Sequence, residues 1–211
     1  MEQLIGADLS SLFSEEAFER YEKIKKAKQF CQFLVDNGIS YDFCIKHAEV
    51  GSCLESSGYY KRFEEYLGND YIICKNLLLQ ERKGDKKKFL LITSSDKKVD
   101  LASVKDTLES RKLEFVQEDE MQRLIGTTPG NVSLFSIIND PAEQVNLVID
   151  EELLDSQSLA FHPLYNGMSI FLPPKECFKF LSLVGREPII TSVPAKDADI
   201  GYQKLLTTNK K

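Results

Sequence analysis

The chain has 211 residues, 42% hydrophobic and 28% charged, the proportions of a globular protein able to bury a core in one or two domains. Its 27 basic and 33 acidic residues leave a net charge of −6, which excludes a protein whose whole surface grips nucleic acid and leaves room only for a local basic patch. No apolar run approaches the roughly 20 residues of a membrane span, and the N-terminus lacks a charged-then-apolar leader, so a cytoplasmic protein without a membrane partner is expected.

Ser14 can cap a helix whose first turn carries Glu15 and Glu16, with Phe18, Tyr21, Ile24, Cys31 and Leu34 at helical spacing until Asn37-Gly38 ends it. Residues 1–37 are therefore expected as an N-terminal extension with an amphipathic helix. Ile39–Ile45 reads as a strand and Tyr59–Leu67 as a helix closed by Gly68. Tyr71–Leu79 is a nearly continuous apolar run, the pattern of a buried strand, and a turn at Lys83-Gly84-Asp85 joins it to Phe89–Ile92 in a hairpin. Asp100 caps a helix bearing Leu101, Val104 and Leu108; a short strand near Phe115 and a helix ending at Ile125-Gly126 follow. The loop Gly126–Gly130 leads through NVSLFSIIND to strands at Val145–Ile149, near Leu159 and near Ile170. A last helix is opened by Pro173-Pro174 and closed by Gly185. This alternation predicts a single α/β (α+β) domain over residues 38–193 and a polar tail or linker over 194–211.

The cysteines, Cys31, Cys44, Cys53, Cys74 and Cys177, form no CxxC pair and are odd in number, which suits reduced thiols and argues against structural zinc. With two histidines and no HExxH, GxSxG or GxxxxGKS string, the common hydrolase and nucleotide motifs are absent. Four features remain. Lys75 interrupts an apolar run, so its strand either ends there or opens onto a cleft; a snorkelling edge lysine is the plainer reading, and Asn76 beside it favours a site. His162 in AFHPLYN sits where Pro163 stiffens the chain, as either a pocket wall or a hydrogen-bonded core histidine; His47 stands alone in a polar loop. GTTPGNVS is either a turn or a loop that aims backbone N–H groups at an oxyanion or phosphate. Lys83, Lys86, Lys87 and Lys88 crowd a hairpin tip, either as solvated edge protection or as contacts to a phosphate backbone.

Together, KNLLLQ from Lys75, KKVDLASVK from Lys97, LIGTTPGNVSLFSIIND from Leu124, VNLVIDEELL from Val145 and AFHPLYN from Ala160 resemble the prolyl-tRNA synthetase-associated (YbaK/ProX-like) editing domain over roughly residues 30–193. The resemblance implies a single mixed, largely antiparallel sheet flanked by helices. It also implies hydrolysis, without metal or other cofactor, of amino acids mischarged on tRNA(Pro), alanine in the nearest branch and cysteine in another. Lys75 matches the family's strand lysine that engages the terminal adenosine, and Asn76 its neighbour. His162 and Asn166 match pocket residues, and Gly130, Asn131, Val132, Ser133 and Leu134 span the GxxxP loop that cradles the ester. Leu134 stands where the family has proline, and Gly167-Met168 replaces a small Thr/Ala pair. A pocket walled by His162, Asn166, Met168 and Leu134 is expected to admit alanine and exclude proline. The partners expected are the acceptor end of tRNA(Pro), touched by the hairpin lysines, and a prolyl-tRNA synthetase in cis or in trans. The alternatives are a non-catalytic tRNA-binding appendage, a Cys-tRNA(Pro) deacylase and a protein-interaction domain.

Overall fold

The computed structural model describes residues 14–49, 58, 60 and 70–196. Helix α1 (Glu15–Asp36) begins as its sequence dictates: the Ser14 hydroxyl accepts from the Ala17 amide at 3.3 Å. Ala27, Phe30, Cys31 and Leu34, three to four residues apart, are its buried stripe. Strand β1 (Phe43–Lys46) is shorter and later than its apolar pattern predicts. Of the helix expected over Tyr59–Leu67 only Tyr60 is among the described residues, and the end of the tail lies outside them.

Strands β2 (Tyr71–Glu81) and β3 (Lys88–Ser94) form the expected hairpin, followed by α2 (Leu101–Thr107), β4 (Leu113–Phe115) and α3 (Glu118–Ile125). Gly126, at φ 62°, ends α3 in the left-handed region. A 3-10 helix (Leu134–Asn139) leads to β5 (Val145–Asp150), a second 3-10 turn, β6 (Ser158–Phe161), β7 (Met168–Leu172), α4 (Pro174–Leu183) and β8 (Ile189–Thr191). Strand β8, short and half exposed, was not legible in the sequence.

The eight strands make one mixed sheet in the order β1-β7-β6-β2-β3-β5-β8, with β4 on β2. Four pairings are antiparallel (β1·β7, β6·β7, β2·β3, β2·β4) and three parallel (β2·β6, β3·β5, β5·β8), so parallel pairing is a larger share than expected. One face carries the main core, where α1, α3, α4 and the first 3-10 helix cover Leu78, Leu90, Ile92, Leu147, Ile149, Phe161 and Ile170. The helix expected as an extension is thus part of that core: the Phe30 ring lies 5.1 Å from Phe135 and 6.1 Å from Phe180. The opposite face carries two smaller clusters, one under α2 (Leu79, Phe89, Leu91, Val104, Val148) and one around Ile45, Tyr60, Ala160 and Phe171. The tail expected from Pro194 begins inside the fold, since Asp100 donates to the Pro194 carbonyl and Ala195 bridges Val99.

Candidate active site

Strand β2 creates the site by running between different partners. The edge it turns away from β3 is paired with β6 over Tyr71–Ile73 and with β4 over Leu79–Glu81, and residues 74–77 face the opening between them. The last β2·β6 pair is Ile73↔Ala160, and two residues further along each parallel strand come Lys75 and His162, on the same sheet face as that pair. Lys75 lies at that opening and lines a cleft. Its Nζ donates to the carbonyls of Ser95, at 3.2 Å, and of Lys97.

The side chain of Lys97 is anchored in turn by a buried carboxylate. Asp150, fully buried, pairs with Lys97 Nζ at 2.7 Å and accepts from the Thr93 hydroxyl and the Val193 amide. Burial opposes the Lys97 charge, but the hydrogen bonds it donates to Asp150 and Glu152, with their negative charges, outweigh it and raise its pKa. On the α2 side of Lys75 lies a cleft of about 450 Å³ with apolar walls from Leu77, Val99, Leu101 and Phe115 and polar groups from Lys75, Asp100 and Lys196. Phe115, 54% exposed, stands at its edge.

On the other side, His162 Nδ1 lies 3.0 Å from the Met168 carbonyl, which can only accept, so Nδ1 carries the proton and Nε2 is the basic nitrogen. The chain's other histidine lies beside it, ring centroids 6.1 Å apart. His47 Nδ1 donates to the Ala48 carbonyl at 2.7 Å, its Nε2 accepts from the Ser169 hydroxyl at 2.9 Å, and Tyr60 donates to Ser169 at 2.6 Å. Burial lowers both imidazole pKa values, so both are neutral at pH 7. Sequence spacing singles out neither Tyr60 nor Ser169 and leaves His47 alone in a polar loop, because the three come from distant segments, and His47 reaches Ser169 only when β1 pairs with β7.

The loop expected to cradle an ester lies against Asn166, whose amide donates to Asn131 Oδ1 at 3.0 Å. Gly130, at φ 85°, makes the turn a side chain would strain, and a Cβ there would contact Asn166. Of the four amides from Gly130 to Ser133, that of Asn131 donates to Thr128 and that of Ser133 to the Ser136 hydroxyl. The Gly130 and Val132 amides donate to no other described residue. Asn131 N–H and Ser133 N–H are therefore committed to the loop, and two donors remain where four were expected.

Several expected pocket residues face elsewhere. Leu134 is the first residue of the 3-10 helix, and its side chain sits in the main core beside Ile92, Ile149 and Phe161. Met168 points into the same core from β7 and offers only its carbonyl, to His162. Val132 and Ser133 are also buried, the Ser133 hydroxyl capping the 3-10 helix. Asn76 lies on the face of β2 opposite Lys75, since strand side chains alternate, and its buried Oδ1 has no partner among the described residues. Gly167 is explained by its neighbour: the buried Tyr165 ring lies over it and would overlap any Cβ.

At the hairpin tip Lys83, Lys86 and Lys87 are exposed, but Lys88 pairs with Glu120 at 3.4 Å and is not a tip residue. Arg82, Lys83, Arg111 and Lys112 line a basic cleft there; the two from the turn before β4 were not singled out because their proximity to the hairpin is tertiary. Buried Glu81 fixes this corner by accepting from the Arg111 and Lys87 amides, and chiefly the Arg111 bond lowers its pKa. Among the described residues, no three His, Cys, Asp or Glu side chains converge where a metal could sit, and no helix is long and apolar enough to cross a membrane.

A sheet of this kind occurs in a solved structure provisionally described as a trans-editing enzyme for prolyl tRNA synthetase. That chain aligns with a TM-score of 0.56 and 18% identity over 81% of this chain and 98% of its own, so the fold is of the editing-domain class. A family model described as the aminoacyl-tRNA editing domain matches residues 62–180, more than half of the chain. The prolyl-tRNA editing protein ProX of Acetoanaerobium sticklandii is 34% identical over 116 residues, 55% of this chain and 70% of its own. The prolyl-tRNA synthetase associated domain-containing protein 1 of Xenopus laevis is 28% identical over 151 residues, 70% of this chain and 85% of its own. The chain belongs to the aminoacyl-tRNA editing domain family, and its activity class is aminoacyl-tRNA deacylation.

Proposed function

We propose that the chain hydrolyses alanine mischarged on tRNA(Pro), acting in the cytoplasm beside or fused to a prolyl-tRNA synthetase. The observation that carries this reading is the opening in β2, where Lys75, two residues beyond the last pair with β6, lines an apolar cleft, and His162 follows that same pair by two residues on the other strand. The terminal adenosine occupies the cleft, its base against Phe115, as aromatic faces hold unpaired bases. Lys75, oriented by the Ser95 and Lys97 carbonyls, fixes the ribose. The ester carbonyl points its oxygen at the Gly130 and Val132 amides, each worth up to about 10²–10³ in rate when it meets a developing oxyanion.

An aminoacyl ester is already activated, so a positioned water replaces a protein nucleophile. Water oxygen bonds to the carbonyl carbon, its proton passing to His162 Nε2, or through the vicinal ribose hydroxyl, which gives up its own proton as it takes one, to the departing ribose oxygen. The tetrahedral intermediate then expels the ribose oxygen, which takes up that proton, leaving free amino acid and tRNA. Size selection falls to Asn131, Asn166 and His162, because Met168 and Leu134 face the core. Deacylation of Ala-, Cys- and Pro-tRNA(Pro) by the purified chain tests this. Ala-tRNA(Pro) is expected to be cleaved fastest; faster loss of Cys-tRNA(Pro) would reassign the substrate, and binding of all three without turnover would make the chain a tRNA-binding appendage.

A further inference from the structure

Behind Lys75, on the α2 side of the sheet, lies a buried polar cluster among apolar neighbours. Side-chain alternation puts Lys75, Thr93 and Asp150 on the face of Leu77, Leu91 and Val148, and Thr93 is the β3 residue directly opposite Lys75. Asp150, fully buried at the end of β5, accepts from the Thr93 hydroxyl and the Val193 amide and pairs with Lys97 Nζ at 2.7 Å. Lys97 is also a residue whose carbonyl accepts from Lys75. Its side chain, 9% exposed, reaches the Val193 carbonyl at 3.2 Å and Glu152 at 2.8 Å. One carboxylate therefore holds both the loop after β3, through the Lys97 side chain, and residues 193–196, through the Val193 amide. The two segments are bonded to each other as well: Asp100 donates to the Pro194 carbonyl at 2.9 Å and Lys196 to the Lys98 carbonyl at 2.7 Å.

We propose that Asp150 and Lys97 are positioning residues for deacylation: by fixing the loop over residues 95–100 they aim the Lys75 ammonium at the ribose of the terminal nucleotide. The inference rests on Lys75 being the group that holds that ribose. A lysine stem is flexible, and its ammonium keeps one direction only while its acceptors stay still. The Ser95 carbonyl is steadied from the strand side, where the Ser95 amide donates to Ile73 at 2.8 Å and the Lys97 amide to Ser94 at 3.2 Å. The Lys97 backbone is tied from the other side by its own side chain, whose ammonium is locked against Asp150. A buried ion pair adds little to stability over apolar residues of similar size, so what this one gives the chain is the fixed geometry of the Lys75 acceptors.

The test reads Lys75 directly as well as turnover. Trace acetylation of the full chain with acetic anhydride, followed by peptide mass spectrometry, measures how available each amine is. The double variant Lys97→Met/Asp150→Asn removes both charges together, keeps the bulk of the lysine stem and leaves an acceptor for Thr93 and Val193. In it, labelling of Lys75 relative to exposed Lys83 and Lys86 is expected to rise about fivefold, the equivalent of one lost hydrogen bond. Its kcat/KM for Ala-tRNA(Pro) is expected to fall about tenfold, with no further fall when the same changes are made in Lys75→Ala. A merely structural pair would lower activity by the same factor in either background. Because Asp150 is a core residue, Thr93→Val, which removes only one donor to it, is run alongside and is expected to shift both readouts in the same direction by a smaller factor. Unchanged Lys75 labelling in both variants, or an equal loss of activity with and without Lys75, would overturn the proposal. Raised labelling in a chain whose turnover Lys75→Ala leaves intact would support the positioning and overturn the role given to Lys75 itself.

Discussion

Lys75 shows how one residue can break a sequence rule for a structural reason. An ammonium in an apolar strand is costly unless its protons find acceptors, and here the Ser95 and Lys97 carbonyls supply them. Lys75→Ala is expected to lower kcat/KM for deacylation about 10²-fold through lost positioning, while stability, followed by thermal melting, changes by no more than about 1–2 kcal/mol. Unfolding of the variant would show the lysine to be structural. Phe115, mostly exposed, contributes little to the core, so Phe115→Ala is expected to raise KM about tenfold with kcat and melting temperature nearly unchanged, the effect of one lost stacking contact. His162 sets a pH dependence. Burial holds its pKa below the usual 6.5, so the folded state binds fewer protons than the unfolded chain as the pH falls past that value. Stability is therefore fully present above pH 6.5 and lost as the pH drops through the lowered folded pKa, and His47 acts in the same direction. Activity is expected to show an acid limb below pH 6.5 that His162→Asn removes, as a pH–rate profile would record.

Among the elements, the β2–β3 hairpin and the turn before β4 act as one unit because Glu81 ties their amides together. We propose that the tRNA-facing side of that unit is the cleft between them rather than the lysine run itself. Reversing Arg111 and Lys112 to glutamate is expected to weaken tRNA binding and flatten the dependence of log K on log salt by about two units, while Lys88→Glu leaves that slope nearly unaltered. Filter binding across a salt series distinguishes the outcomes: equal slopes in all variants would turn this corner away from the tRNA. The loop before the 3-10 helix shows why leucine is tolerated in place of proline. Ser133 is extended at φ −138° and ψ 160°, the backbone a residue before proline also adopts, and Leu134 uses its side chain to fill the core instead of stiffening the loop.

Across the whole molecule, the main core joins helices from both ends of the described chain to one face of the sheet. Phe30 of α1 meets Phe135 of the 3-10 helix and Phe180 of α4, so no cut between α1 and the remainder leaves this cluster intact. Phe30→Ala is expected to destabilise the entire domain by about 3–5 kcal/mol in a single cooperative transition. A first, separate unfolding step in urea would instead show α1 to be an independent unit. With a net charge of −6, the proposed RNA contact falls to local features, the hairpin corner and the opening around Lys75, rather than to the general surface.

Local chemistry was enough to locate most elements from sequence: Ser14 and Asp100 as caps, Gly126 and Gly185 as helix ends, and the apolar runs of β2, β3 and β5. Each is decided by neighbours a few residues away. The same is true of Lys75 and Gly130 as residues out of keeping with their surroundings, and their motif order carried the family. Tertiary structure alone decided which way side chains faced and which distant segments met. Alternation along β2 separates Lys75 from Asn76, and the core rather than the pocket takes Leu134 and Met168. Strand pairing is what brings His47 and Ser169 to His162, and a turn brings Arg111 to the hairpin. Facing and meeting depend on register between segments tens of residues apart, and a one-residue slip reverses every side chain. No local pattern in the chain encodes that choice.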